Sequence, residues 1–191
     1  MTTIIRDQIQ QSIRHFRLPA YDEITDVGLY LEQTTRYINE YLFPLGEDAA
    51  ITSSMISNYV KHKLVSSPVH KQYSRDQIAM LIFISMTKSI LSLDQIRQLR
   101  EVGLHLFEKK DAYEYFRTSL EEQLMAVFGY SQKPVEEIEE SSGEKLIVRS
   151  AMTAISHKIY LNMCFAAIEQ KDMPEGQIPV STGKARKKAK T

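Results

Sequence analysis

Cysteine, glycine and proline are all scarce in this 191-residue chain, and each shortage excludes a class of protein. The single cysteine, Cys164, closes no intramolecular disulfide, which rules out a small disulfide-stapled scaffold. Seven glycines and six prolines are about half of average usage, too few corners for an architecture of short strands and tight turns. A mainly α fold is expected. The longest near-apolar run, Ile78 to Met86, has nine residues, against the roughly 20 needed to span a bilayer. It reads as core, and no membrane partner is expected. No segment combines a basic start, an apolar run and a small-residue cleavage site, so the expected location is cytoplasmic.

Recognisable catalytic chemistry is missing too. There is no glycine-rich phosphate loop and no G-x-S-x-G elbow, and the glutamates at 136, 137, 139 and 140 fall in a polar stretch that keeps them ordinary carboxylates. His62 and His70 lack a third ligand at helical or hairpin spacing, and His15, His105 and His157 are scattered. The reading is therefore a non-enzymatic protein with no metal and no cofactor.

What is present is charge, balanced in sum and blocked in distribution. Twenty-four basic residues match twenty-four acidic ones. From Thr52 to Arg75 the chain carries Lys61, Lys63, Lys71 and Arg75 and no carboxylate, with His62 and His70 in the same stretch. From Asp111 to Lys145 nine acids face three bases, and the segment from Lys184 to Lys190 holds five bases. A polyanion would meet the first and third blocks favourably. With Pro174, Gly176, Pro179 and Gly183 before it and no apolar periodicity, the last block is expected to be a disordered basic tail over 171–191.

Hydrophobic periodicity divides the rest. Ile5, Ile9, Ile13 and Phe16 mark an N-terminal helix stopped by Pro19, a helix and linker over 1–20. Asp26 is the expected cap of a helix reaching Leu42, and Thr52 that of a short helix from Ser53 to about Lys63, with Met55, Ile56, Tyr59 and Val60 inward and Ser54, Ser57, Asn58 and Lys61 outward. Ser66, Ser67 and Pro68 break it, and a short hairpin or extended loop reaches Tyr73. Ser74-x-x-Gln77 and Ser92-x-x-Gln95 are capping boxes that open a buried helix to about Ile90 and a second helix ending at Gly103. Asp111-x-x-Glu114 and Ser141-x-x-Glu144 open two more, joined by an acidic loop from Ser131 to Ser142.

Read in order, Met55-Ile56-Ser57-Asn58-Tyr59-Val60-Lys61-His62-Lys63-Leu64-Val65-Ser66-Ser67-Pro68, then Lys71-Gln72-Tyr73, then Leu91-Ser92-Leu93-Asp94-Gln95-Ile96 resembles a MerR-type winged helix-turn-helix domain. Ser57 and Asn58 stand where that family carries an arginine and a tyrosine, and Tyr59, Lys61 and Lys71 are the positions that carry over. Leu18-Pro19-Ala20-Tyr21, Gly28-Leu29-Tyr30-Leu31-Glu32-Gln33 and Ile51-Thr52-Ser53-Ser54-Met55 resemble the YkrK-like family, a bacterial group of unknown function. These resemblances imply a bacterial protein with a winged helix-turn-helix domain over 21–103. The C-terminal helical pair over 104–170 carries more apolar surface than two isolated helices can hide from water, so it is expected to pack against a second copy as a homodimer.

A helix that enters a major groove needs short polar side chains able to reach base edges, flanked by cations that hold phosphate. Ser53, Ser54, Ser57 and Asn58 fit the first requirement; Lys61, Lys63, Lys71 and Arg75 fit the second, with Tyr59 and His70 beside them. Double-stranded DNA is the expected partner, and a transcriptional regulator the expected function. The alternative is a helical protein-interaction adaptor that keeps the scaffold without the DNA.

Overall fold

The structure is a computed structural model that describes residues 9–130 and 143–171. The expected tail, the Ser131 to Ser142 loop and Ile5 lie outside the described residues. The described chain is mainly helical: α1 (Leu31–Leu42), α2 (Ser53–Lys61), α3 (Arg75–Thr87), α4 (Leu93–Leu106), α5 (Lys109–Val127) and α6 (Gly143–Lys171), preceded by a helical turn at 9–13. Two short strands, β1 (Leu29–Tyr30) and β2 (Gln72–Tyr73), pair antiparallel with Leu29 opposite Tyr73 and Tyr30 opposite Gln72.

The helix expected to start after Asp26 begins four residues later, at Leu31, because Leu29 and Tyr30 extend as a strand. The Tyr30 N–H is then closed by Gln33, whose Oε1 accepts it at 2.9 Å. Thr52 caps α2 as expected, its hydroxyl accepting from the Met55 N–H at 3.2 Å. Both serine-glutamine pairs also open helices: the Ser74 N–H donates to Gln77 Oε1 at 2.8 Å and the Ser92 N–H to Gln95 Oε1 at 2.9 Å. The second of these helices does not stop at Gly103. It runs to Leu106, with the Phe107 N–H closing on the Gly103 carbonyl at 3.0 Å. The next begins at Lys109 rather than at Asp111.

One apolar core joins all of these elements, from Ile9, Ile13 and Leu18 through Ile78, Leu81, Ile82 and Ile84 on α3 to Met152 and Ile155 on α6. α3 is buried nearly all round, as its sequence demands. The N-terminal segment is fixed by α5: the Leu18 N–H donates to Glu121 at 2.7 Å, the Tyr21 N–H to Glu114 at 2.5 Å, and the buried Tyr113 hydroxyl to the Pro19 carbonyl at 2.8 Å. Arg117 holds both glutamates, at 2.8 and 3.1 Å. No helix among the described residues is long and apolar enough to cross a membrane.

Candidate nucleic-acid interface

α2 is amphipathic over only nine residues, so its roles divide cleanly. Ile56 and Tyr59 are buried, while Ser54, Ser57, Asn58 and Lys61 are exposed. At 5% exposure Tyr59 is a core residue, and burial raises its phenol pKa; it presents no surface to a groove. Ser53 is also committed elsewhere. Its hydroxyl donates to Glu32 on α1 at 2.8 Å and lies 3.0 Å from Thr35 Oγ1, which ties α2 to its neighbour. Ser57 returns its proton to the Ser53 carbonyl at 2.9 Å, and Ser54 pairs with Thr52 at 2.9 Å. Asn58 makes no side-chain hydrogen bond among the described residues and keeps both amide groups available.

The end of α2 is closed without glycine. The Lys63 N–H donates to the Val60 carbonyl at 3.0 Å and the Leu64 N–H to the Tyr59 carbonyl at 2.9 Å, which puts Lys63 at φ 57° in the left-handed region. Leu64 and Val65 then turn into the core. Beyond Pro68 the chain reverses through His70 and Lys71 in a two-residue hairpin, with Val69 and Gln72 exchanging both backbone hydrogen bonds at 3.1 and 2.9 Å. His70 at φ 49° and Lys71 at φ 64° are both left-handed, as such a turn requires.

Lys63, His70 and Lys71 are the only non-glycine residues with positive φ among the described residues. Glycine or asparagine fits such positions with least strain, and a bulkier residue there costs on the order of 1 kcal/mol. Lys61, Lys63 and Lys71 form no ion pair among the described residues, whereas Lys109 and Lys110 on α5 are paired with Asp76 and Asp22.

Arg75 does not belong to this free set. Its Nε donates to the Ile24 carbonyl at 2.7 Å, its guanidinium lies 5.7 Å over the Tyr21 ring, and Asp22 sits 3.9 Å away. With its side chain 27% exposed, it fastens α3 to the segment before β1. Its position in a carboxylate-free stretch of sequence concealed Asp22, more than fifty residues away in the chain. The available face therefore comprises Ser54, Ser57, Asn58 and Lys61 on α2, and Lys63, His70 and Lys71 in the segment that follows.

β1 holds the hairpin in place, and Gly28 makes the approach possible. A Cβ at Gly28 would lie 2.8 Å from the Cβ of Gln72, so only glycine lets the strand come this close. At the other end, buried Gln77 on α3 donates to the Ser66 carbonyl at 2.8 Å and the Ser67 carbonyl at 3.2 Å. The segment between is clamped at both ends. No group of three or more His, Cys, Asp or Glu that could hold a metal occurs among the described residues.

These features define a mainly helical protein in which a two-stranded ribbon and a short polar helix both contact α1. Residues 19–118, just over half of the chain, match the family described as a domain of unknown function, DUF1836, and the chain belongs to that family. Comparisons with curated proteins and with solved structures find no match.

Proposed function

We propose that this protein is a non-enzymatic, DNA-binding transcriptional regulator that reads duplex DNA with α2 and holds phosphate with the 62–73 segment, in the manner of a winged helix-turn-helix. One observation carries the reading: among the described residues, all three strained, non-glycine left-handed positions are occupied by Lys63, His70 and Lys71, two free cations and an imidazole, exposed as Ser54, Ser57 and Asn58 are. Strain of this kind persists where the residue is needed for something other than folding. Asn58 has the donor and acceptor geometry to pair with an adenine edge, and Ser54 and Ser57 are short enough to enter a groove beside it. The antiparallel pairing of β1 with β2 supports the wing of this reading.

The homodimer is the second element of the proposal. α6 exposes Ile147, Leu161, Phe165 and Ile168, the last three at helical steps of four and three residues and Phe165 at 58% exposure. A two-fold axis through that face would set two α2 helices against half-sites about 34 Å apart.

The test is binding to duplex DNA as a function of salt. Lys61→Ala and Lys71→Ala are each expected to reduce the slope of log affinity against log salt by about one. Asn58→Ala is expected to relax sequence preference at one base pair without changing that slope. If duplex affinity is absent, or is unchanged by both lysine substitutions, the proposal fails and the protein-interaction adaptor replaces it.

A further inference from the structure

Beside the 60–67 segment lies a half-open cavity of about 550 Å³ lined by that segment, α3, α4 and α5, with Tyr21 and Val148 of α6. This falls within the range of small-molecule sites, roughly 300–1,000 Å³. Its apolar wall includes Met80 and Phe83 of α3, Leu104 of α4, Phe107, and Tyr115 and Phe116 of α5. Phe83 packs edge-on against Phe116 at 5.1 Å and Phe107 lies against Tyr115 at 4.9 Å, so the wall is fixed by aromatic contacts.

Three properties specify what such a space would take. No buried side-chain nitrogen or oxygen among the described residues lacks a hydrogen-bond partner, so the interior calls for no polar group from a ligand. The charged lining is cationic in balance, Lys63, Arg100 and Lys109 against Asp76. Lys109 is already paired with Asp76 at 3.1 Å, which leaves Lys63 and half-buried Arg100 without partners among the described residues. Finally, the α4 wall contains Gly103 in the interior of a helix, where glycine costs roughly 0.5–1 kcal/mol relative to alanine. A Cβ at that position would meet nothing within 4 Å.

From this we infer that the cavity binds a small amphipathic organic anion, an aliphatic or aromatic body among Met80, Phe83, Phe107 and Phe116 with its carboxylate or equivalent group on Arg100 and Lys63. At roughly 30 Å³ per non-hydrogen atom, as in liquid water, the volume holds about 18 such atoms, room enough for a twelve-carbon fatty acid or a two-ring aromatic acid. Val60 and Lys63 line the cavity and also belong to the end of α2 and its cap. A bound anion therefore draws Lys63 away from phosphate, a consequence that rests on the DNA reading above.

The chain contains no tryptophan, so Phe107→Trp supplies a single indole reporter on the cavity wall. Dodecanoate, kept below micellar concentration, is titrated into this protein beside dodecyltrimethylammonium, which has the same chain and the opposite charge. The expected result is a saturable one-to-one change in indole emission for dodecanoate, at least tenfold weaker for the cation. Arg100→Gln should weaken the anion about tenfold, and Gly103→Leu should abolish its binding while unfolding stays cooperative. In the wild-type chain, dodecanoate should raise the melting temperature. Equal affinity for the two head groups, a signal that survives Gly103→Leu, or no saturable signal together with an unmoved melting temperature would overturn the inference. The titration contains no DNA, so it fails or succeeds independently of the duplex measurement; only a loss of duplex affinity on adding dodecanoate joins the two.

Discussion

Two glycine-to-alanine substitutions should move stability in opposite directions, and the difference isolates the contact that positions the wing. At Gly28 the new methyl would lie 2.8 Å from the Cβ of Gln72. Carbon atoms settle at about 3.5–4.0 Å, so β1 and β2 must separate by about 0.7–1.2 Å. Gln72 Cβ is fixed to its own backbone and cannot swing aside, and the ribbon has only two residue pairs over which to distribute the shift. A cost of about 1–3 kcal/mol is expected, as for other overpacked sites. At Gly103 nothing lies within 4 Å of the new methyl, the position is interior to α4, and Gly103→Ala should stabilise by about 0.5–1 kcal/mol. Both substitutions remove the same backbone freedom from the unfolded chain, so this contribution cancels in the comparison. Denaturant unfolding of the two variants should therefore differ by the cost of the clash, about 1–3 kcal/mol. Gly28→Ala should also weaken duplex binding, since the hairpin loses its seat. Equal stabilisation by both substitutions would refute the argument that strand approach at Gln72 requires glycine.

Other perturbations separate strain, charge and assembly. Lys71→Gly relieves a left-handed lysine and should stabilise the fold by about 1 kcal/mol while lowering duplex affinity, read in the same preparation by unfolding and by binding. A hydrogen bond from the Tyr21 hydroxyl, aided by Lys109, holds the Asp76 carboxyl below the usual carboxylate range. Its stabilising contribution is present above the unfolded value near 4 and is lost as pH falls through the lowered folded value, so Asp76→Asn should flatten the acid limb of a stability-against-pH curve. Burial raises the Glu121 pKa instead, despite its bonds to Leu18 and Arg117. The part of the curve due to Glu121 should have the opposite slope, with stability rising as the carboxyl takes up its proton. Phe165→Glu on the exposed face of α6 should convert a dimer to a monomer in light scattering without loss of helical signal; an unchanged mass would remove that face from the assembly.

Legibility in the sequence followed the range of the interaction. Capping boxes act over three residues, and Ser74-Gln77 and Ser92-Gln95 placed the starts of α3 and α4 correctly. The helical spacing of apolar residues marks inward faces on α5 and α6: Tyr113, Phe116, Leu120 and Leu124 on one, and Val148, Met152, Ile155 and Ile159 on the other, are buried, while Val127 and Met163 at the ends of the same stripes are only partly so. Leu29 and Tyr30 misled because their apolar character fits a helix as well as a strand; the strand exists only because Gln72 and Tyr73 come to it from more than forty residues away. Gly103 misled because a helix that gains enough from tertiary packing tolerates an interior glycine. Arg75 counted as a free cation until Asp22, Ile24 and Tyr21 were found beside it. The cavity could not be read at all, since its wall is assembled from six separate parts of the chain, none with a distinctive pattern of its own.

The position of that cavity and the strain of the hairpin have a common origin. Between Tyr59 and Gln77 the chain leaves a helix, reverses and enters another, and it is fastened at only a few points: the Tyr59 and Val60 carbonyls, the buried Leu64 and Val65, the Gln77 amide on Ser66 and Ser67, and the β1 pairing. Lys63, Ser66 and Ser67 line the cavity and are also exposed to solvent. A segment that borders an empty space yields more readily there than one backed throughout by close-packed core, because an empty space supplies no opposing contacts. Filling the cavity would supply them. On the proposed DNA reading, the residues that would face a polyanion would then be displaced or fixed by what fills the cavity, which would place the means of regulation within the reading element itself rather than in a separate domain.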